Sequence, residues 1–231
     1  MEYKSGCLIC GKDLVYQSNY ENVKCYYCNK TYNTNAKCVD DHFVCDRCHS
    51  LSAFELVEEF CINTTLKNPV DIALILMRNG KIKMHGPEHH FLVPAVLLSA
   101  YYNIKNDDIQ KIEKIKKAKE RAKNILGGFC GFYGACGAGV GTGIFISLIT
   151  DATPLSKQEW KLSNLMTSKS LFSIANKGGP RCCKRTVFLS IIEAADFVNK
   201  NFGVEIDIDN KLKCEFNLLN KECLQDECPF Y

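Results

Sequence analysis

The chain has 231 residues, 46% of them hydrophobic, and a net charge of +3. That length suits one sizeable domain plus a small one, and so modest a charge excludes a global electrostatic argument for nucleic acid, so any such contact must be local. Fifteen cysteines, an odd number, exclude a complete disulfide framework, and Met1 to Gly6 lacks the apolar run of a signal peptide; a cytoplasmic chain that uses its thiols for metal or thiol chemistry is expected.

Seven cysteines and one histidine near the amino terminus fall into four pairs: Cys7 with Cys10, Cys25 with Cys28, Cys38 with His42, and Cys45 with Cys48. A CxxC turn aims two sulfurs at one ion, and four such donors close a tetrahedral zinc site. Eight donors therefore make one or two sites. Their order is that of cross-braced two-zinc modules, yet sequential pairing uses the same residues, and spacing does not choose between them. Val23 to Tyr27 alternates like a short strand feeding the second knuckle, while Leu51, Phe54, Leu56, Val57 and Phe60 mark a helix leaving the module. Residues 1–60 thus read as a zinc-ribbon or treble-clef-like module, too small for a core of its own and folded by Zn2+.

Asn68-Pro69 opens a second domain, residues 68–231, in which Val70 to Met77 is a buried helix or strand. In the run His85-Gly86-Pro87-Glu88-His89-His90, the residues His85, Glu88 and His89 have the H-x-x-E-H spacing of the inverted zinc-protease motif. Gly86-Pro87 inside it places His85 ahead of the helix instead of on its face. A role in metal binding or proton transfer is expected for this cluster, with a metallohydrolase as one alternative. Phe91 to Tyr102 is apolar nearly all round and reads as a core helix. Residues 109–123 form an amphipathic helix with Ile109, Ile112, Ile115, Ala118 and Ala122 on one face. Its other face, with Lys111, Lys114, Lys116, Lys117, Lys119, Arg121 and Lys123, is either solvated or a contact for RNA.

No charge interrupts Leu126 to Thr150, and eight glycines keep the stretch from reading as a membrane span. Such glycine density lets the backbone approach a cofactor or another helix; in the first case Cys130 and Cys136 lie at the cofactor's edge. Ser156 and Glu159 read as a capping box for a helix ending at Lys177. Then Gly178-Gly179-Pro180-Arg181-Cys182-Cys183-Lys184-Arg185 reads as a turn and the first turn of a helix, with Pro180 at its first position. Two thiols at the positive end of a helix dipole, beside three cations, are expected to be thiolates. Val204 to Ile208 alternates like a short strand, and the tail places Cys214, Cys223 and Cys228-Pro229 in a small loop. Cysteine followed by proline recurs in iron–sulfur ligand loops.

Taken together, His85 to His90, Gly131-Phe132-Tyr133-Gly134-Ala135-Cys136-Gly137-Ala138, Gly179 to Arg185 and the C-x4-C-P tail resemble an uncharacterised cysteine-rich domain family. That family belongs to methanogenic archaea and anaerobic bacteria and is sometimes joined to radical-SAM or methyltransferase-like domains. The resemblance covers about residues 70 to 231. It implies an anaerobic setting and a partner of that kind, and no mechanism. The expectation is a mainly α protein, α+β overall, that serves a redox or sulfur-transfer reaction through an oxygen-sensitive metal site. Cys214, Cys223 and Cys228 would hold a [4Fe–4S] cluster, with Cys130 and Cys136 gathered to the same site. Cys182 or Cys183 would complete the cluster or act as the reactive thiolate, while Arg181 and Arg185 hold an anionic substrate and Glu88 or His89 moves protons. The rival is a non-catalytic zinc adaptor docking RNA or a protein partner.

Overall fold

Two strands open the chain. In the computed structural model, which describes residues 7–208 and 212–231, β1 (Leu14–Lys24) and β2 (Thr31–Cys38) form an antiparallel hairpin whose register runs from Leu14 opposite Cys38 to Lys24 opposite Thr31. Antiparallel pairing returns the end of β2 to the start of β1. Cys38 is thereby carried back to the Cys7–Cys10 knuckle, and the far end of the hairpin presents Cys25 and Cys28. A short α1 (Asp46–Ser50) follows, then α2 (Ala53–Asn63), which starts at a capping box: Ser52 Oγ accepts from Glu55 N, and the Glu55 carboxylate accepts from Ser52 N.

The rest is helical. Helix α3 (Pro69–Arg78) starts with Asn68 as its cap and Pro69 in its first turn, so Val70 to Met77 is helix and not strand. At the centre stands α4 (Glu88–Lys105), in which every residue from Phe91 to Asn103 is buried. It packs against α2, α3, α5 (Asp108–Ala122), α7 (Gly137–Ile149) and α9 (Cys183–Phe202), which is why a sequence with no polar face still makes a helix. A short α6 (Phe129–Phe132) precedes α7, and α8 (Gln158–Lys177) packs on α7 and α9.

The glycines of α7 work as two pairs one turn apart. A Cβ on Gly141 would stand 2.8 Å from Pro94 Cδ, and one on Gly137 would strike the His90 ring, so this pair admits α4. Gly139 and Gly143 face the other way, toward Leu171 and Thr167 of α8. The glycine-rich stretch therefore serves close helix packing, the second of the two uses its composition allows. Among the described residues no helix is long and apolar enough to cross a membrane.

Several expectations need correction. Ser156 does not cap a helix: α8 starts at Gln158, and Ser156 Oγ accepts from Thr153 N instead. Val204 to Ile208 finds no partner strand; the Ile206 N–H bonds Asn199 Oδ1, a side chain in place of a ladder. On α5, Ile109 is exposed, whereas Lys111 and Lys114 are buried, the first donating to Asn103 Oδ1 at 2.8 Å and the second pairing with Asp151. Lys117, Lys119 and Lys123 also meet carboxylates, those of Glu113, Glu58 and Glu120, so five of the seven cations on this helix are paired. Pro180 lies two residues ahead of the α9 cap, Cys182, so the motif starts its helix later than its proline suggests.

Candidate metal centres and an adjoining cleft

Two donor groups converge in the amino-terminal module. Cys7, Cys10, Cys38 and His42 form one, Cys25, Cys28, Cys45 and Cys48 the other, and within each group the ligand atoms lie within 4.8 Å of one another. The pairing is the cross-braced one, set by the hairpin. Cys10 Sγ lies 3.4 Å from Cys38 Sγ and Cys28 Sγ 3.9 Å from Cys45 Sγ, close to the edge of about 3.8 Å that a tetrahedron with metal–sulfur bonds of about 2.3 Å requires. Backbone N–H groups of Ile9, Asp40 and Cys45 point at Cys7, Cys38 and Cys25 sulfurs at 3.4 Å, and His42 Nδ1 is buried with no partner among the described residues. Without a cation each group divides its charge unevenly: burial pushes the Cys10 thiol up to about 11 and, together with the Cys25 charge, Cys48 higher still, while hydrogen bonds hold Cys38 below the usual thiol value and bring Cys45 down to about 7. Both groups can hold a metal ion.

The carboxy-terminal thiols are arranged differently. Cys182, Cys214, Cys223 and Cys228 line one narrow recess, a cavity of only about 20 Å³, together with Met84, Phe188 and Phe230. No three of these sulfurs converge as the amino-terminal ones do. Cys182 is placed by the α9 cap and accepts from Arg185 N at 3.5 Å; Cys214 and Cys223 accept from Phe216 N and Gln225 N at 3.4 Å. The tail is held over α9 by Phe230, whose buried ring meets Phe188 edge-on, and by the Cys214 N–H to Phe230 O bond at 2.5 Å. Asn220 also lines the recess. Its Oδ1 is engaged by His85 Nε2 at 3.2 Å and by Glu222 N, leaving a buried Nδ2–H donor with no partner among the described residues. Lys184, fully buried beneath Phe216 with its ammonium on Ile82 O at 3.2 Å, adds a cation, pulled down to about 8 by burial against the opposing influence of Glu88 and the neighbouring thiols.

Cys183 points elsewhere. With Cys130, Cys136, His89, His90 and Arg181 it lines a cleft of about 410 Å³. Cys182 and Arg185 border both cavities, so one residue's thickness separates them. The single gathered site expected from sequence is thus two sites, and the fourth thiol of the tail recess is Cys182, with Cys183, Cys130 and Cys136 on the far side. Burial pushes Cys183 up to about 11 and raises Cys182 as well. At both positions desolvation works against the expected thiolate and outweighs the backbone hydrogen bonds and the cations that favour it. Arg185 donates from Nη2 to Gly178 O at 2.7 Å and Pro180 O at 2.9 Å and so fixes the loop that aims the two cysteines.

His85, Glu88 and His89 turn to three different partners. His85 reaches Asn220, Glu88 accepts from Lys83 N at 2.9 Å, and His89 Nδ1 donates to Gly86 O at 3.0 Å. They do not form one ligand group among the described residues. Gly86 instead joins the two motifs, since a backbone hydrogen bond from Gly86 also reaches the Cys183 thiol. Sequence reading missed Asn220 and the partition of Cys182 from Cys183; the adjacency of two cysteines at a helix start, where successive side chains diverge by about 100°, is the signal that anticipates the latter.

The profile of a family of unknown function, DUF5714, matches residues 57–231, and the chain belongs to that family. The match takes in the recess and the cleft and leaves out the two amino-terminal donor groups. No curated protein and no solved structure matches the chain.

Proposed function

We propose that this is an iron–sulfur protein in which Cys182, Cys214, Cys223 and Cys228 hold a multi-iron cluster that serves a redox or sulfur-transfer reaction at the neighbouring cleft. The observation that carries the reading is the recess itself: four thiols ring one apolar space without meeting on a point, and an orphaned Asn220 donor borders it. A single ion needs converging ligands, whereas each cysteine of a cluster binds a different iron, so its ligands stand further apart. Hydrogen bonds to the sulfurs and a buried cation suit the negative charge such a group carries. What the cluster supplies when bound is reversible electron exchange. Around it this chain fixes the ligands, excludes water with Phe188 and Phe230, and offers the cleft one residue away. The amino-terminal groups fit Zn2+ as structural ions.

Iron, zinc and acid-labile sulfide analysis with an absorption spectrum, on protein purified without oxygen, tests this. Stoichiometric iron and sulfide with a broad band near about 400 nm are expected. Cys182→Ser should lose iron, sulfide and colour, and Cys183→Ser should keep all three. Zinc alone with no sulfide, or a loss in Cys183→Ser that matches Cys182→Ser, would sink the assignment.

A further inference from the structure

The cleft on the Cys183 side has a polar floor, a charged mouth and an apolar wall between them. His89 is its floor, 1% exposed, with Nδ1–H on Gly86 O; the lone pair therefore sits on Nε2, which is buried and has no partner among the described residues. A buried acceptor left unmade is costly to the fold and ready for a ligand's donor. Arg181 is exposed on the same cleft and supplies the cation at its mouth. Ala138 of α7 and Leu171 and Ile174 of α8 form the wall. The floor is fixed by its neighbours: the His90 ring lies against the Gly137 backbone, with Nδ1 on Ile125 O at 3.0 Å. His89, Cys136 and Cys183 do not converge as metal ligands, so the arrangement is that of a small-molecule site, and about 410 Å³ is within the usual range for one.

We infer that this cleft binds a small organic acid with an apolar body, whose anionic group meets Arg181 and whose inner end carries an O–H or N–H that donates to His89 Nε2. The inference deepens the proposed function by naming the class of molecule at the cleft, and it rests on that reading only for the use made of the ligand. Neither the floor nor the mouth needs the cluster.

The test uses the full chain and 4-hydroxybenzoate as probe, with benzoate, which lacks the inner donor, and phenol, which lacks the anion, as controls. Affinities come from titration, and the His89 Nε2 resonance is followed in protein carrying 15N-labelled histidine. We expect 4-hydroxybenzoate to bind about tenfold more tightly than benzoate, the worth of satisfying one buried acceptor. The Nε2 resonance should move with 4-hydroxybenzoate and stay with benzoate. Arg181→Ala, an exposed site that leaves the core untouched, should abolish the advantage of 4-hydroxybenzoate over phenol. His89→Phe should abolish its advantage over benzoate; should that variant fail to fold, the three probes on the natural chain still decide. Equal binding of 4-hydroxybenzoate and benzoate, an unmoved Nε2 resonance, or no binding of any probe at millimolar concentration would overturn the inference. The titration is run on iron-loaded and iron-free protein: binding without iron or sulfide defeats the cluster and keeps the cleft, and a coloured protein that binds nothing does the reverse.

Discussion

Eight donors near the amino terminus and four thiols near the carboxy terminus use the same side chain to opposite structural ends. In the first region the donors come in pairs three to four residues apart, each pair on its own turn, and the hairpin brings the pairs together until sulfurs nearly touch. In the second, Cys182, Cys214, Cys223 and Cys228 are spread over much of the last quarter of the chain and are held apart by packing, by Phe230 on Phe188 and by the α9 cap. The first region has few apolar side chains besides its ligands to fold around, Ile9, Tyr27 and Phe43 among them. The second is set on a much larger helical core, which Ile9 and Tyr27 join from the module. Convergent ligands therefore mark where a metal makes the fold, and dispersed ones where a fold would make the metal site.

Removing metal separates the two regions most sharply. A strong chelator should collapse the amino-terminal module, because structural zinc supplies on the order of 10 kcal/mol or more to folds of this size, while the helical circular dichroism of α3 to α9 persists. If the two regions melt together at the first equivalents of chelator, the contrast fails. The cross-brace has its own test in the cadmium-substituted chain, where four-sulfur and three-sulfur-one-nitrogen sites give separate 113Cd resonances. Cys45→Ser should erase the four-sulfur signal and keep the other; sequential pairing predicts the reverse outcome.

The core of the second region should answer to packing and not to metal. Gly143→Ala sets a methyl against Thr167 Oγ1 and 3.1 Å from Ser163 O. Overpacking of about 1–3 kcal/mol should outweigh the helix-propensity gain of about 1 kcal/mol, a net loss near 1 kcal/mol by urea denaturation. Gly131→Ala, with nothing within 4 Å of the added carbon, should be close to neutral. The join between regions is Tyr27, whose buried hydroxyl and the Asn79 amide share a 2.8 Å hydrogen bond. Tyr27→Phe leaves that amide unpaired at a cost of about 1 kcal/mol and should loosen the module without releasing its metal.

How much of this was legible follows from where each signal lives. The donor pairs, the core helix around Phe91 to Tyr102 and the helix leaving the module are local patterns, and each appears where expected. The cross-brace, the burial of Lys111 and Lys114, and the division of Cys182 from Cys183 depend on which element lies opposite, and no local pattern carries that. Ser156 shows the same limit from the other side: its capping-box spacing is correct, and Thr153 takes its hydroxyl instead. Ser52 and Glu55, with the same spacing, do form the box.

The remaining effect is one of pH, and it belongs to the second region. His89 is buried neutral, its pKa held well below the usual histidine value by burial first and by the Lys184 charge next, and burial lowers His90 in the same direction. A histidine that cannot take up a proton when folded leaves the unfolded chain binding more protons in acid. Stability then rises with pH through the unfolded histidine pKa of about 6.5 and is lost below it. Between pH 7.5 and 5.5 His89 alone should cost the folded state about 1.4 kcal/mol. Urea titrations of the natural chain and of His89→Gln at the two pH values isolate that share, because ligand protonation in the amino-terminal module is common to both. The cleft sharpens the expectation: an acid that donates to Nε2 favours the neutral imidazole, so saturating 4-hydroxybenzoate should raise stability at both pH values and leave the acid loss in full. A natural chain that loses no more than His89→Gln would show that the folded imidazole takes up a proton as readily as the unfolded one, and that its lone pair is not held free for a ligand.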